Sequence, residues 1–272
     1  MKDLIHPTAV VSQGAVLGAN VRVGPYAVIE GGAHVGENCE IGPHVVITRH
    51  VSMGAGNVIH AGAVIGGDPQ DTHFDRAIPS RVVLGAENQI REHCTIHRSA
   101  ARDGITKVGN GCFLMAGSHV AHDCVLGDRV ILANSALIGG HCRIGDNVFL
   151  GGGAVVHQFV RIGRLSLCKG NSATVQSLPP FVLADGTHGI MGLNTVGLRR
   201  AGISPLARAS IKAAVALAFR SGLNLSQALE EAEKQTWEPE AAEFFAFLKD
   251  PGKRGVSGFL RRSRKSTSDE DA

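Results

Sequence analysis

The stretch from Val21 to Ile47, VRVGPYAVIEGGAHVGENCEIGPHVVI, decides the fold. An aliphatic residue returns every six positions, at Val23, Ile29, Val35, Ile41 and Ile47, and a small residue stands four places after most of them, at Ala27, Ala33 and Cys39. Read outward, the same beat reaches back to Ile5 and forward to Ile65, then resumes at Val108 and holds through Cys168. A hexapeptide period of this kind builds a parallel β-helix, in which each repeat is one short strand and one corner. The aliphatic side chain points into a narrow core, and Gly, Asn or Asp supplies the turn. Gly36, Gly42, Gly127, Gly145 and Gly163 follow inward aliphatics directly, where a missing Cβ eases the corner. The 35 glycines therefore argue for turns, not disorder.

The expected architecture is an all-β left-handed parallel β-helix over residues 1–190, followed by a small α-helical C-terminal domain over 191–260 and a disordered tail over 261–272. Two interruptions stand out within the coils. GGDPQDTHFDRAIPSR breaks the period near 67–81 and HRSAARDGITK near 97–107, and both read as loops leaving a rigid scaffold, where binding residues concentrate. Beyond about Val175 the hexapeptide is gone. Ser204-Pro205 opens a helix that runs to Gly222, Ser226 is a candidate cap for a second, and Glu240 to Leu248 reads as a third. The residues after Leu260 carry no further aliphatic or aromatic side chain before the tail ends in SDEDA.

With 272 residues, 44% of them hydrophobic and only 4% aromatic, the chain suits one long, thin core. No apolar run is long enough to span a bilayer and the start is polar, so a cytoplasmic protein is expected. All six cysteines fall on inward positions of the repeat without a CxxC pair, which reads as reduced, buried thiols in a reducing compartment. Nucleic acid is not expected as a partner at a net charge of +3. Arg199, Arg200, Arg208, Lys212 and Arg220 have no acidic residue among them, a face that attracts a phosphate-bearing or acidic partner.

Three hexapeptides make a coil, so residues 18 apart lie one above the other at roughly 4.8 Å. That arithmetic places Gly140 over His122 and His141 over Asp123, inside SHVAHDC and GGHCRIG. His122 occupies neither inward position and should project, as a general base must. Asp123 or His141 would orient its ring, and the Gly140 N–H could polarise a carbonyl. The combination suits acyl transfer to an alcohol. A catalytic zinc would need three converging histidines, and the spacing here does not supply them, so no metal or other cofactor is expected.

IHPTAVV, GDPQD, IREHCTIHR, HVAHDC, GGHCRIGDN, VVHQFVRIG, SLPPFVLADG and GLNTVGLRRAG come in the order seen in the UDP-N-acetylglucosamine acyltransferase family, and the chain resembles that family over nearly its whole length. The resemblance implies a homotrimer, an acyl carrier protein thioester as donor, the sugar 3-hydroxyl of a UDP-sugar as acceptor, and no cofactor. It implies that His122 is the base, Asp123 its partner, and Gly140 the amide at the thioester oxygen. His119, His141, His157 and Gln158 would touch substrate, Asp71 would hold the sugar, Asn194 and Arg200 the nucleotide, and Gly170 would lie along the acyl groove. The chain departs from the family where His73 replaces a lysine two residues after the loop aspartate, and where Val196 and Ala201 replace a glutamate and an arginine. Those changes raise an alternative acceptor, the 3-amino UDP-sugar, whose product would be an amide.

Overall fold

The computed structural model describes residues 4–185 and 189–259. The expected tail over 261–272 lies outside the described residues. Strands of mostly two residues stack into three parallel sheets, and the chain visits the three in turn. The first sheet begins at Val10–Val11 and ends at Ala173–Thr174; it includes Thr95–His97, His119–Val120, Leu137–Ile138 and Val155–Val156. Val10 pairs with Val28 and Val28 with Val46, the 18-residue step that the period predicts. This is the left-handed parallel β-helix of hexapeptide proteins.

Most strands bury their aliphatic residue and leave its neighbour more accessible, so inward side chains from the three sheets fill the prism. Ile29, Ile47, Ile65, Ile96, Val120, Ile138 and Val156 form one wall, and the six cysteines are buried beside such residues as free thiols. The glycines after inward aliphatics are needed for a different reason from turn conformation. Gly36 has no positive φ, but a Cβ there would lie 2.4 Å from the Gly54 carbonyl carbon of the next coil. Left-handed backbone is supplied two residues after such glycines by Asn38, His141 and Asn147, and two after Ala121 by Asp123.

Both interruptions are loops, and they change the register. Between the coils on either side of the first loop the step is 31 residues, as for Asn57 and Asn88, and the next coil takes 24, as for Thr95 and His119. The second loop is shorter than expected, because Ile105–Val108 is already a strand. At the far end, Val182–Ala184 and Ile190–Leu193 close the third sheet as an antiparallel pair, so the expected boundary at 190 falls within this pair.

The helices are α1 (Thr195–Arg200), α2 (Pro205–Arg220), α3 (Leu225–Glu233) and α4 (Pro239–Lys249). Ser204 caps α2 by accepting from the Ala207 N–H, with Pro205 in the first turn. The expected cap of α3 at Ser226 is wrong by two residues. Asn224 accepts from the Gln227 N–H while the Gln227 side chain accepts from the Asn224 N–H, and this reciprocal pair sets the start. Ile211, Val215, Phe244, Phe245 and Leu248 pack with Leu165 and Phe181 of the coil end, which seats the helices on the prism.

Candidate active site

The site forms where the first sheet turns its corner, because that corner carries polar residues in three successive coils. His119 and the exposed Leu137 and Val155 lie on the outer face of the sheet. His122, Gly140, His157 and Gln158 follow at the corner. With Gln70, His97, Ala121 and Gly139 they line a cleft of about 370 Å³.

His122 and Asp123 are adjacent in sequence, yet the left-handed backbone of Asp123 swings its carboxylate under the preceding imidazole. His122 Nδ1 lies 2.7 Å from Asp123 Oδ2. Ser99 Oγ donates to Asp123 Oδ1, and the Ala100 N–H donates to Oδ2 at 3.1 Å. Burial pushes the carboxyl up, but the bonds from His122, Ser99 and Ala100 outweigh it and hold the group down at about 2. Asp123 is therefore ionised near neutrality. Its contact with Nδ1 is satisfied when that nitrogen carries the proton, which leaves the Nε2 lone pair of His122 available.

The coil above adds Gly140 and His141. The His141 N–H donates to His122 O at 3.0 Å, as stacking by 18 requires. A Cβ on Gly140 would stand 2.8 Å from both Cε1 and Nε2 of His122, so glycine is what lets the ring occupy its place. Among the described residues nothing accepts the Gly140 N–H. His141 meets His122 edge to face at 5.1 Å, stacks on Phe159 at 4.6 Å and brings Nε2 to 3.9 Å from Asp123 Oδ2. His122, Asp123 and His141 offer donor atoms within 4.8 Å of one another, the spacing of a metal site. Hydrogen bonding already accounts for the cluster, since His122 Nδ1 is directed at the carboxylate.

Below the base, His119 Nδ1 lies 2.7 Å from Thr95 Oγ1, and burial lowers its pKa. His97 sits edge-on to it at 4.6 Å. This histidine escaped the sequence reading. It is only 8% exposed, burial with the charges of His119 and His122 lowers its pKa to about 4, and its buried Nδ1 has no hydrogen-bond partner among the described residues. A buried nitrogen left unpaired against a cleft is costly and invites a partner.

Asp71 stands at the edge of this group. Its Oδ1 accepts the His73 N–H at 2.9 Å, which keeps the carboxyl below its usual range, and the charge of His122 adds to the effect. His73 itself is almost fully exposed. His157 faces Arg254, whose Nε donates to Gln158 O at 3.0 Å. Three expected contacts are not in this cleft. The exposed Gly170 packs on Gly152 at a different corner. Asn194 is committed to capping α1 and to the Leu165 carbonyl, and Arg200 lies exposed at the end of α1.

Residues 178–257 match the family model described as UDP N-acetylglucosamine O-acyltransferase, domain 2, and residues 14–49, 32–67 and 105–140 match the bacterial transferase hexapeptide model. The curated acyl-[acyl-carrier-protein]–UDP-N-acetylglucosamine O-acyltransferase of Gloeothece citriformis is 42% identical over 197 residues, 72% of this chain and 71% of that one. This chain belongs to that acyltransferase family. Solved structures agree. The LpxA structure from Acinetobacter baumannii has a TM-score of 0.89 at 34% identity and covers 95% of this chain and 100% of its own. The UDP-N-acetylglucosamine O-acyltransferase of Moraxella catarrhalis has a TM-score of 0.87 at 36% identity, over 95% and 100%.

Proposed function

We propose that this acyltransferase moves a 3-hydroxyacyl chain from the thioester of an acyl carrier protein to the 3-hydroxyl of UDP-N-acetylglucosamine, the first step of lipid A synthesis. One observation carries the mechanism: the His122 ring is anchored through Nδ1 by an ionised Asp123, with the available Nε2 beside Gly140 at the cleft. The His122 Nε2 takes the proton from the sugar hydroxyl as its oxygen attacks the thioester carbon. The negative charge that develops on the carbonyl oxygen is met by the Gly140 N–H. When the intermediate collapses, the carbon–sulfur bond breaks and the imidazolium returns the proton to the leaving thiolate. Asp123 stabilises the imidazolium throughout and keeps its own charge.

His119, His141, His157, Gln158 and Asp71 act as substrate contacts in this reading. We further propose a homotrimer. The exposed Leu137 and Val155 beside the cleft favour burial against another copy, and Arg200 and Gly170, which do not line the cleft of their own chain, fit a nucleotide and acyl subsite completed by a neighbour. The basic residues Arg199, Arg208 and Lys212, which surround a hollow beside α1 and α2, suit an acidic carrier protein. A cytoplasmic location is supported by the free thiols, and no described helix is long and apolar enough to cross a membrane.

The test is acyl transfer by the purified chain, with a panel of carrier-protein thioesters and with UDP-N-acetylglucosamine set against its 3-amino analogue. Ester formation on the hydroxyl sugar is expected. Exclusive amide formation would mean that His73, Val196 and Ala201 redefine the acceptor, and turnover of neither sugar would reject the reading.

A further inference from the structure

The two loops that interrupt the coils meet at three consecutive residues. Arg98 leaves the first sheet directly after Thr95–His97, and its side chain is only 1% exposed. A cation so deeply buried is costly unless its donors are paired. Nε donates to Asp68 Oδ1 at 2.9 Å, Nη1 to Ile78 O at 2.7 Å and Ser80 Oγ at 3.2 Å, and Nη2 to Arg76 O at 2.9 Å. The guanidinium also lies 4.7 Å from the centre of the Phe74 ring. All of these partners belong to the 67–81 loop. The rigid planar fork thus dictates the path of the segment that carries Gln70 and Asp71.

The next residue faces the other half of the site. Ser99 is fully buried; its Oγ donates to Asp123 Oδ1 and accepts the Ala101 N–H at 3.0 Å, while the neighbouring Ala100 N–H reaches Asp123 Oδ2. Ser80 Oγ closes the arrangement by donating to the Ser99 carbonyl at 2.6 Å. The acceptor loop and the carboxylate that orients the base are therefore fastened to adjacent residues of one short segment. Nothing in the hexapeptide core requires this, since the coils are held by their inward aliphatic side chains.

We propose that Arg98 and Ser99 form one brace that sets the acceptor loop in register with the catalytic pair, Arg98 being the positioning residue for Asp71 and Gln70, and Ser99 the positioning residue for Asp123. The inference rests on the acyl-transfer reading above. Arg98 acts on acceptor binding because its contacts end in the loop. Ser99 acts on the chemical step because its contact ends on the carboxylate that holds His122.

The experiment compares Arg98→Lys, Asp68→Asn and Ser99→Ala with the parent enzyme. Arg98→Lys keeps the charge and loses the fork, and Asp68→Asn weakens the same anchor from the loop side. Both are expected to raise KM for the nucleotide sugar by about tenfold or more with kcat little changed, as for a misplaced substrate contact. Both should also speed tryptic cleavage after Arg76 in the intact chain, a measurement that needs no substrate. Ser99→Ala should lower kcat at unchanged KM, and should cost nothing further in an Asp123→Asn background. Unchanged proteolysis with unchanged KM in both loop variants, or equal cost of Ser99→Ala in both backgrounds, would overturn the brace. If the parent turns over no nucleotide sugar, the function reading fails instead, and the proteolysis still decides the Arg98 half.

Discussion

Replacing Asp123 by asparagine perturbs the catalytic pair with almost no change of volume. In the parent the carboxylate accepts from Ser99 Oγ, from the Ala100 N–H and from His122 Nδ1 at 2.7 Å. An asparagine that keeps its carbonyl oxygen on Ser99 Oγ puts its NH₂ where Oδ2 stood, facing both the Ala100 N–H and His122 Nδ1. Two donors cannot face each other, so the imidazole moves its proton to Nε2 and Nδ1 becomes the acceptor. The nitrogen facing the substrate then holds a proton when it needs a lone pair. Loss of general-base catalysis costs about 10²- to 10⁴-fold in rate, or about 3 to 5 kcal/mol of barrier at 1.36 kcal/mol per decade. The assay is acyl transfer at saturating carrier-protein thioester, with circular dichroism to show that the coils remain. Because the pair acts as a unit, His122→Ala combined with Asp123→Asn should be no slower than His122→Ala alone. Turnover of Asp123→Asn within threefold of the parent would refute the tautomer argument.

Gly140→Ala should lower kcat by about 10²-fold, because its Cβ would stand 2.8 Å from the His122 ring and displace both the base and the oxyanion donor; parent-like kcat would show that the ring does not need that space. His97 is held neutral by burial down to about pH 4, while an unfolded histidine takes up its proton near 6.5. Its contribution is therefore complete above pH 6.5 and is lost as pH falls toward 4, by about 3 kcal/mol. Urea unfolding of the parent at fixed protein concentration should weaken by that much more than His97→Gln over this window, and parallel losses would contradict the assignment. The six thiols are buried, and burial pushes Cys112 and Cys168 up to about 11. A thiol reagent at pH 8 should label none of them in the folded protein and all after denaturation; rapid labelling of the native chain would show that the coils open.

The catalytic pair was legible because the period fixes what lies above what. Stacking by 18 puts His141 on Asp123 and Gly140 on His122, and the His141 N–H does bond to His122 O. His97, Arg98 and Ser99 were not legible as site residues for the complementary reason. The loops change the local step to 31 and 24 residues, so the pairing of Thr95 with His119 follows from no sequence period. The available clue was a run of polar residues, HRS, at the point where an aliphatic coil should continue. The cap of α3 was misplaced because Asn224 and Ser226 are both good caps, and only the reciprocal Gln227 contact chooses between them.

The sequence by itself determined the prism, its core and its corners, since a six-residue alternation of large, small and turn-forming residues has one efficient way to bury its apolar side chains. Tertiary structure alone decided which lone pair of His122 is available, how the Asp123 charge is held and where the two loops meet. Those outcomes depend on hydrogen bonds between residues one to thirty positions apart, with directions that no period specifies. Asn194 makes the same point: as a letter it is a polar contact near a basic segment, and in the fold its side chain is spent on the Gly197 N–H and the Leu165 carbonyl. Burial patterns follow from periodicity because they need only the side a residue faces, whereas chemistry follows from contacts, which need the whole fold.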